Sequence, residues 1–409
     1  MKILNFGSCN IDYVYSLDHI VVPGETLSSN SLELFPGGKG LNQSIAAARA
    51  GASVFHAGCI GADGEMLRTV LNDSGVDTSF LYSIDCKNGH AIIQVSTRGE
   101  NSIFLYPGSN ALISREIIDK VFESFCSEDI VLLQNETSNV PYIIDKAYEK
   151  GMKIAFNPAP FSEALKSIDF NKLTYLILNE TEAMGFTGCV EVEESIAYIN
   201  SRYKNLTVIL TLGKDGCVYI KNSLVKRQPA YNVKVKDTTA AGDAFIGYFL
   251  AGVCKNQKCE KILKTASAAS AITVSKMGAA PSIPCIEEVE ESLPLMNEYP
   301  LSDNGIAAKI KKYITDNFST AKLSELAGLL GYTKEYTSEL IKKQIGTTFS
   351  ELVRKMRIET AAYMLKETEL SISEIIETIG YSNESFFRKH FKEAYGISPL
   401  KYRKEHRYE

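Results

Sequence analysis

The chain of 409 residues is long enough for two or three domains, and its 45% hydrophobic and 23% charged residues suit a soluble globular protein, not a disordered or fibrous one. No apolar run approaches the roughly 20 residues a membrane helix needs, and the opening MKILNFGSCNID reads as a first β-strand instead of a signal peptide. The net charge of −5 is uneven: from Asp303 onward 18 basic and 15 acidic residues give +3, which leaves 26 against 34, or −8, for the rest, so one end alone has the sign that suits nucleic acid.

Up to residue 296 short apolar runs alternate with helical stretches. KILNFGS, SVFHAGCIG, DIVLLQNE, KIAFNPAP, YLILNE and TVILTLG are each bounded by Gly, Asn or Pro. Continuous apolar strands between helices predict a largely parallel sheet covered on both faces. Residues 88–106 differ, because two alternating segments flank an RGEN turn; this predicts a hairpin in a small accessory sheet, a candidate lid. The nine Cys all precede residue 286, none forms CxxC, and the five His lack metal-ligand spacing. Reduced thiols of a cytoplasmic protein are the expectation.

ESLPLMNEYPLSDNG, residues 291–305, has two Pro and a closing Gly and reads as a linker. The predicted boundaries are a first domain over 1–296, a linker over 297–304 and an all-helical domain over 305–409. The helical domain repeats itself: LSELAGLLGYTKEYTSELIKKQIGTTF is echoed by ISEIIETIGYSNESFFRKHFKEAYGISP, with Gly331–Tyr332 recurring 49 residues on as Gly380–Tyr381. Each copy reads as helix, Gly turn, helix and Gly stop.

Five motifs carry the chemistry of the first domain: Gly7 to Asp12 (GSCNID) at the end of the first strand, Gly37 to Asn42 (GGKGLN) opening an Ala-rich helix, Asn179 to Glu182 (NETE), Thr211 to Gly216 (TLGKDG), and Asp237 to Phe245 (DTTAAGDAF) opening another helix. In the last, the small residues Ala240, Ala241 and Gly242 let an anionic group approach the N–H groups and positive dipole end of a helix. Asp243 follows at once, placed to accept a proton from an attacking hydroxyl; an N-cap on a structural helix is the plainer alternative. GGKGLN lacks the GxxxxGK[ST] spacing of a P-loop. Lys39 and Asn42, with Asn10 and Asp12 at a strand end, instead offer groups suited to sugar hydroxyls, or simply caps and turns.

In this order, and with the strings PGET, NPAP, LNETEA and GAAPSIP, these motifs resemble the ribokinase branch of the PfkB carbohydrate kinase family over essentially all of residues 1–296. The resemblance implies a ribokinase-like α/β sandwich, with a mostly parallel sheet flanked by helices and a small β lid. It implies transfer of a phosphoryl group from ATP to the terminal hydroxyl of a sugar, with ribose favoured, and dimerisation through the lid. Asp243 then looks like the base, and Ala240, Ala241 and Gly242 like the anion hole. Asn10, Asp12, Gly38, Lys39, Asn42 and Glu136 match sugar-contacting positions. Asn179 and Glu182 match the NxxE motif of the Mg2+–phosphate region. Thr211, Gly213 and Gly216 match a nucleotide loop, and Ser267 lies where the purine site is completed. Asp237, Thr239, Thr273, Lys276, Gly278 and Ser282 match a monovalent-cation site that takes K+.

Residues 305–409 resemble the AraC/XylS family of transcription regulators through LSELAGLLGY, Arg357-Ile358, Ala361-Ala362, ISEII, GYSNESFFRKHFK, Gly396 to Pro399 and Tyr402-Arg403. This implies two helix-turn-helix units on one linking helix within residues 346–367, with recognition helices Thr333–Ile345 and Asn383–Tyr395 set for double-stranded DNA. In the second, Asn383, Ser385, Arg388 and Lys389 are candidates for bases or phosphates, and Phe386, Phe387 and Phe391 for core. The first carries Glu335, and has Glu339 where the family usually has a basic residue. Two functions are open at this point: an active kinase whose DNA-binding domain couples sugar status to transcription, and a regulator that uses the kinase fold purely as a sensor. A helical protein-interaction module is the alternative for the last domain.

Overall fold

The computed structural model describes all residues except 163, 164, 166, 167, 204, 223, 299–302, 382 and 407–409, with backbone alone at 303–308, 311, 343 and 344. The chain forms two compact units: residues 1–224 with 228–299, and residues 300–409 with 225–227. Residues 299–302 of the segment read as linker lie outside the described residues. The backbone N–H of Asn232 donates to the Asn297 carbonyl at 2.8 Å and Tyr231 bridges to Glu298, so 297 and 298 belong to the first unit. A helix already runs over Asp303–Asn317.

The described residues contain thirteen strands: β1 (Ile3–Phe6), β2 (Asn10–Leu17), β3 (Ser31–Gly37), β4 (Val54–Ile60), β5 (Asp77–Ser83), β6 (His90–Ser96), β7 (Asn101–Tyr106), β8 (Ile130–Gln134), β9 (Lys153–Asn157), β10 (Tyr175–Asn179), β11 (Thr207–Thr211) and β12 (Cys217–Lys221) in the first unit, and β13 (Leu224–Gln228), whose middle three residues group with the second. Nine form one sheet in the order β13-β12-β11-β10-β9-β8-β1-β4-β5. From β5 to β11 every neighbouring pair is parallel, and β11–β12 is antiparallel. The strands β1 and β8 are buried along their whole length, as their unbroken apolar runs require. The chain leaves β1 for β4 on one side and returns as β8 on the other, so β1 sits where the strand order reverses. In such sheets ligands bind outside the carboxyl ends of the strands at that point.

The remaining four strands form a second sheet, β3-β2-β6-β7. The predicted hairpin is β6–β7. The rest of this sheet is a correction to the sequence reading: Asn10 and Asp12 do not end the first strand but begin β2, which pairs antiparallel with β3 and parallel with β6. The cause is the GSC segment, which breaks the sheet after Phe6 and sends the chain into a new one.

Two close approaches bring the site together. A Cβ on Gly40 would lie 2.4 Å from Gly7 Cα, so the end of β1 and the helix Lys39–Arg49 touch backbone to backbone. A Cβ on Gly247 would lie 2.4 Å from Ala46 Cβ, so the helix Ala241–Cys254 packs tightly on the same helix.

In the second unit, Leu323–Leu330 and Lys334–Ile345 form one helix-turn-helix, Ile372–Thr378 and Glu384–Tyr395 the other, and Phe349–Glu367 links them. Gly331 and Gly380 turn at φ 71° and 73°, and Thr333 and Asn383 cap the second helices. The linking helix contributes Val353 to one core, with Leu326 and Ile341, and Ile358, Ala361 and Leu365 to the other, with Phe387 and Phe391. Its 19 residues span roughly 28 Å.

Candidate active site and DNA-binding surface

A cavity of about 350 Å³ opens at the carboxyl ends of the strands. Asn10, Asp12, Gly38, Lys39, Asn42, Glu136 and Asp243 all line it, so the predicted sugar-side set is brought together whole. The small sheet supplies an apolar wall of Ala91, Ile93, Ile103 and Leu105. Lys39 Nζ lies 2.9 Å from Glu136 Oε1, and Ser8 Oγ donates to Glu136 Oε2 at 2.5 Å. Asn110 Nδ2 donates to Asn10 Oδ1 at 2.7 Å, which turns the Asn10 amide nitrogen away from that bond.

Asp243 stands in the first turn of Ala241–Cys254, after Ala240 at φ 61°. Its carboxylate accepts from Asn42 Nδ2 at 3.0 Å and Gln43 Nε2 at 2.9 Å. Burial pushes its pKa up to about 6, against the pull of Lys39 and the two amides. Burial, reinforced by Glu136, pushes Asp12 up to about 7. Burial also raises Glu182, whose carboxylate receives the Asn179 backbone N–H at 3.0 Å while Asn179 Oδ1 accepts from Glu182 N at 2.8 Å, a capping box.

A second cavity, about 580 Å³, is lined by Thr211, Gly213, Gly216 and Ser267 together with Tyr231, Val233 and Phe245. Asn179, Thr211, Thr238, Ala241 and Gly242 line both cavities, whereas Glu182 faces only the smaller one. The small-residue turn before Asp243 is therefore the wall between a polar, sugar-sized space and a larger, more apolar one.

Beside that turn, Asp237 Oδ1 accepts from Thr239 N and Oγ1 at 2.9 and 2.6 Å, and Oδ2 from Gly278 N at 2.9 Å. Lys276 N bonds the Thr273 carbonyl at 3.1 Å. Thr273 Oγ1 and Ser282 Oγ donate to Ala269 and Ala279 carbonyls within their own turns, and Lys276 Nζ pairs with Glu288 of the helix Ile286–Ser292. Asp237 is the one carboxylate of the predicted cation set, and its two oxygens accept from Thr239 and Gly278. Among the described residues no group of three or more His, Cys, Asp or Glu could hold a metal by itself. Mg2+ commonly takes only one or two protein carboxylates and otherwise phosphates and water, and Glu182 fits that pattern.

On the second recognition helix, Asn383, Ser385 and Lys389 are exposed. Asn383 Oδ1 is occupied by the cap to Phe386 N at 3.1 Å, and Arg388 lies against Glu384 at 2.5 Å. Phe386 corrects the sequence reading, because it is 58% exposed while Phe387 and Phe391 are fully buried. The core face recurs every fourth residue, so 387 and 391 share it and 386 is rotated about 100° away. It stacks on His390, with centroids 6.3 Å apart.

The sequence reading missed Ser8, Gln43, Asn110 and Asn157. Gln43 had a usable signal, since it directly follows Asn42 on a helix whose start faces the site. Asn110 had none, because 100 residues separate it from Asn10.

The family pattern described as pfkB family carbohydrate kinase matches residues 1–285, and that of a helix-turn-helix domain matches 326–405. The chain is 35% identical over 297 residues to a ribokinase of Haemophilus influenzae, covering 70% of this chain and 96% of that one. It is 30% identical over 309 residues to a deoxyribokinase of Salmonella typhi, covering 72% and 99%. The structure of Arabidopsis thaliana ribokinase complexed with ribose and ATP superposes with a TM-score of 0.63 at 26% identity, covering 71% of this chain and 98% of that one. With its catalytic-type cavity, ribokinase-like fold and paired helix-turn-helix units, the chain belongs to the PfkB carbohydrate kinase family, in its ribokinase branch, and carries an AraC-type helix-turn-helix domain.

Proposed function

We propose that this kinase phosphorylates the terminal 5-hydroxyl of D-ribose or a closely related pentose with ATP, and that its helix-turn-helix domain couples sugar status to transcription. The observation that carries the reading is Asp243, half-buried at a helix start, bonded by two amides and lining the smaller cavity directly after Gly242, which lines both. The sugar occupies the smaller cavity, against Asn10, Asp12, Lys39, Asn42 and Glu136, and ATP the larger, against Thr211, Gly213, Gly216 and Ser267. Asp243 takes the proton of the attacking hydroxyl, while the N–H groups at Ala240, Ala241 and Gly242 receive the charge that develops on the transferring phosphoryl group. Mg2+, held near Glu182 and Asn179, supplies charge neutralisation of the phosphates when bound. We assign the first unit, through residue 298, to the kinase and the helical unit to DNA binding, in a cytoplasmic protein, where ATP and DNA are both at hand. The apolar, exposed Leu32, Leu34, Ile103 and Phe104 of the small sheet's edge strands support dimerisation through that sheet. The test is ADP release with a panel of D-ribose, 2-deoxy-D-ribose, hexoses and nucleosides. Turnover fastest with a pentose is expected; sugar binding without turnover would instead leave a sensor.

Asp243 must be ionised to accept a proton, and a carboxyl with a raised pKa keeps its proton until the pH climbs through the raised value. We therefore expect kcat/KM to rise with pH through about 6, with a second rise near 7 from Asp12, and to flatten above. A rate unchanged from pH 5 to 8 would contradict these assignments. We further propose K+ at the Asp237 turn. Replacing K+ by Na+ is expected to lower turnover several-fold, because that turn leads directly into the anion-binding one. Equal rates in K+-free buffer would refute it.

A further inference from the structure

We propose that Gln43 is a positioning residue for Asp243, its amide held in one orientation by Gln134, from which a directed chain of buried hydrogen bonds runs to His56. The proposal rests on the reading of Asp243 as the base.

An amide next to a carboxylate is useful in one orientation only. With nitrogen toward the carboxylate it donates; flipped, it sets a carbonyl oxygen against it. Here the neighbours fix the choice. Gln43 Oε1 accepts from Gln134 Nε2 at 2.7 Å, so Gln43 Nε2 must face Asp243 Oδ1, at 2.9 Å, and Asn157 Oδ1, at 3.2 Å. Asn157 is itself fixed, because its Nδ2 donates to the Ile177 carbonyl at 2.9 Å. Gln134 also donates to Asn5 Oδ1 at 3.1 Å. Asn5 Nδ2 donates to the Gly40 carbonyl and to Ser44 Oγ, both at 2.8 Å. That leaves the Ser44 hydroxyl to donate to His56 Nδ1 at 2.8 Å, and His56 Nε2–H to donate to the Gly7 carbonyl at 3.2 Å.

Every arrow is compatible with the next. Asn5, Gln43, Ser44, His56 and Gln134 are all fully buried, so a reversed amide would find no water to correct it. Burial holds the His56 pKa down to about 4, so the ring is neutral and can accept at Nδ1.

Gln43 lines neither cavity, whereas Asn42, the other donor to Asp243, lines the smaller one. The two neighbours are thereby separable: Asn42 touches both base and sugar space, Gln43 the base alone. The charged groups facing Asp243 across the cavity are Lys39 from the same helix as Gln43, Glu136 after β8, Glu182 after β10 and Asp12 on β2. Lys39 is engaged by Glu136, so the two amides are the direct hydrogen-bond donors to the Asp243 carboxylate among the described residues.

The test measures kcat, KM for D-ribose and pH profiles of the full chain carrying Gln43→Leu, Gln43→Glu or Gln134→Met, with Asp243→Asn alongside. Losing a donor to the ionised form raises the pKa, so Gln43→Leu should move the acid limb assigned to Asp243 up by about one pH unit and lower kcat by roughly 10–100-fold. KM should stay within about twofold, since Gln43 touches no substrate space. Near-isosteric Gln43→Glu should move the limb further, by setting a second carboxyl against the first. Gln134→Met should give a smaller shift in the same direction, by releasing the Gln43 amide to flip. Unmoved limbs in the folded variants overturn the proposal even if kcat falls, because loss of packing lowers turnover without changing a titration. If Gln43→Leu does not fold, the other two variants decide by the same criterion. Retained turnover in Asp243→Asn would instead overturn the base reading, whatever Gln43 does.

Discussion

Asp243→Asn is expected to lower kcat by on the order of 10³ or more while leaving the fold intact. The side chains are nearly isosteric, and the position sits in a helix that buries Ala244, Phe245, Tyr248 and Phe249, so the helix has ample reason to stay in place. The chemistry changes more than the packing. Asparagine cannot take a proton, and its amide nitrogen would meet donors on Asn42 and Gln43 where the carboxylate now meets acceptor-seeking N–H groups. One of the three amides must turn over or lose a bond, which adds a small stability cost. ADP release under saturating D-ribose and ATP, with a thermal melt beside it, checks both halves of the expectation. Near-normal turnover in a folded variant would remove Asp243 from its assigned role.

Affinity of the full chain for its DNA site is expected to fall roughly 10²–10³-fold between 50 and 200 mM salt, the response to about five phosphate contacts. The second unit should dominate. Arg388, Lys389, Lys392, Lys401, Arg403 and Lys404 fall in or just after its recognition helix, while the first helix presents Glu335 and Glu339. The structure sharpens which of these are available. Arg388 is held by Glu384, and Arg403 donates to the Leu370 carbonyl at 2.5 Å. Lys389 is exposed and its nearest acid, Glu393, is at 4.0 Å, an exposed pairing that contributes little. Lys389→Ala should therefore weaken binding about tenfold or more, and Glu339→Ala should leave it unchanged or stronger. Mobility-shift titrations at the two salt concentrations test this. Salt-independent binding would point to a protein-interaction module, and a large loss from Glu339→Ala would mean that this carboxylate reads a base, for instance by accepting from cytosine N4.

The parts of this molecule that were legible in the sequence are those governed by local rules. Unbroken apolar runs gave the parallel strands, the RGEN turn gave β6–β7, and the 49-residue repeat gave the paired helix-turn-helix units. The sugar-side residues were found because each lies in a short motif at a strand end or helix start, where backbone groups and side chains must face outward. What escaped was set by tertiary contact. Asp12 read as the end of one strand but lies in a different sheet, because three residues of GSC suffice to change sheets. Phe386 read as core beside Phe387, although only the helix phase decides which aromatic faces inward. Asn110, Gln134 and Asn157 come from three separate segments, and their side chains are tied to the site by hydrogen bonds spanning 91 to 129 residues of sequence.

The contact between Gly247 and Ala46 gives the two-helix core of the site an unusual sensitivity. Gly247 lies four residues, about one turn, beyond Asp243, and Ala46 lies one turn beyond Asn42, so the contact is a fulcrum and the base and its two amides are the end of the lever. A single methyl at 247 would press on Ala46 at 2.4 Å and on the Ala47 nitrogen at 2.5 Å, and the helices would have to splay. Hydrogen bonds of 2.9 and 3.0 Å lose strength within a few tenths of an ångström, so a small displacement at this seam reaches the reacting carboxylate directly. Reactivity and foldedness are in this way tuned by different atoms. Drift at the seam of small residues would leave a stable protein that still encloses its cavities but no longer aligns the reacting group.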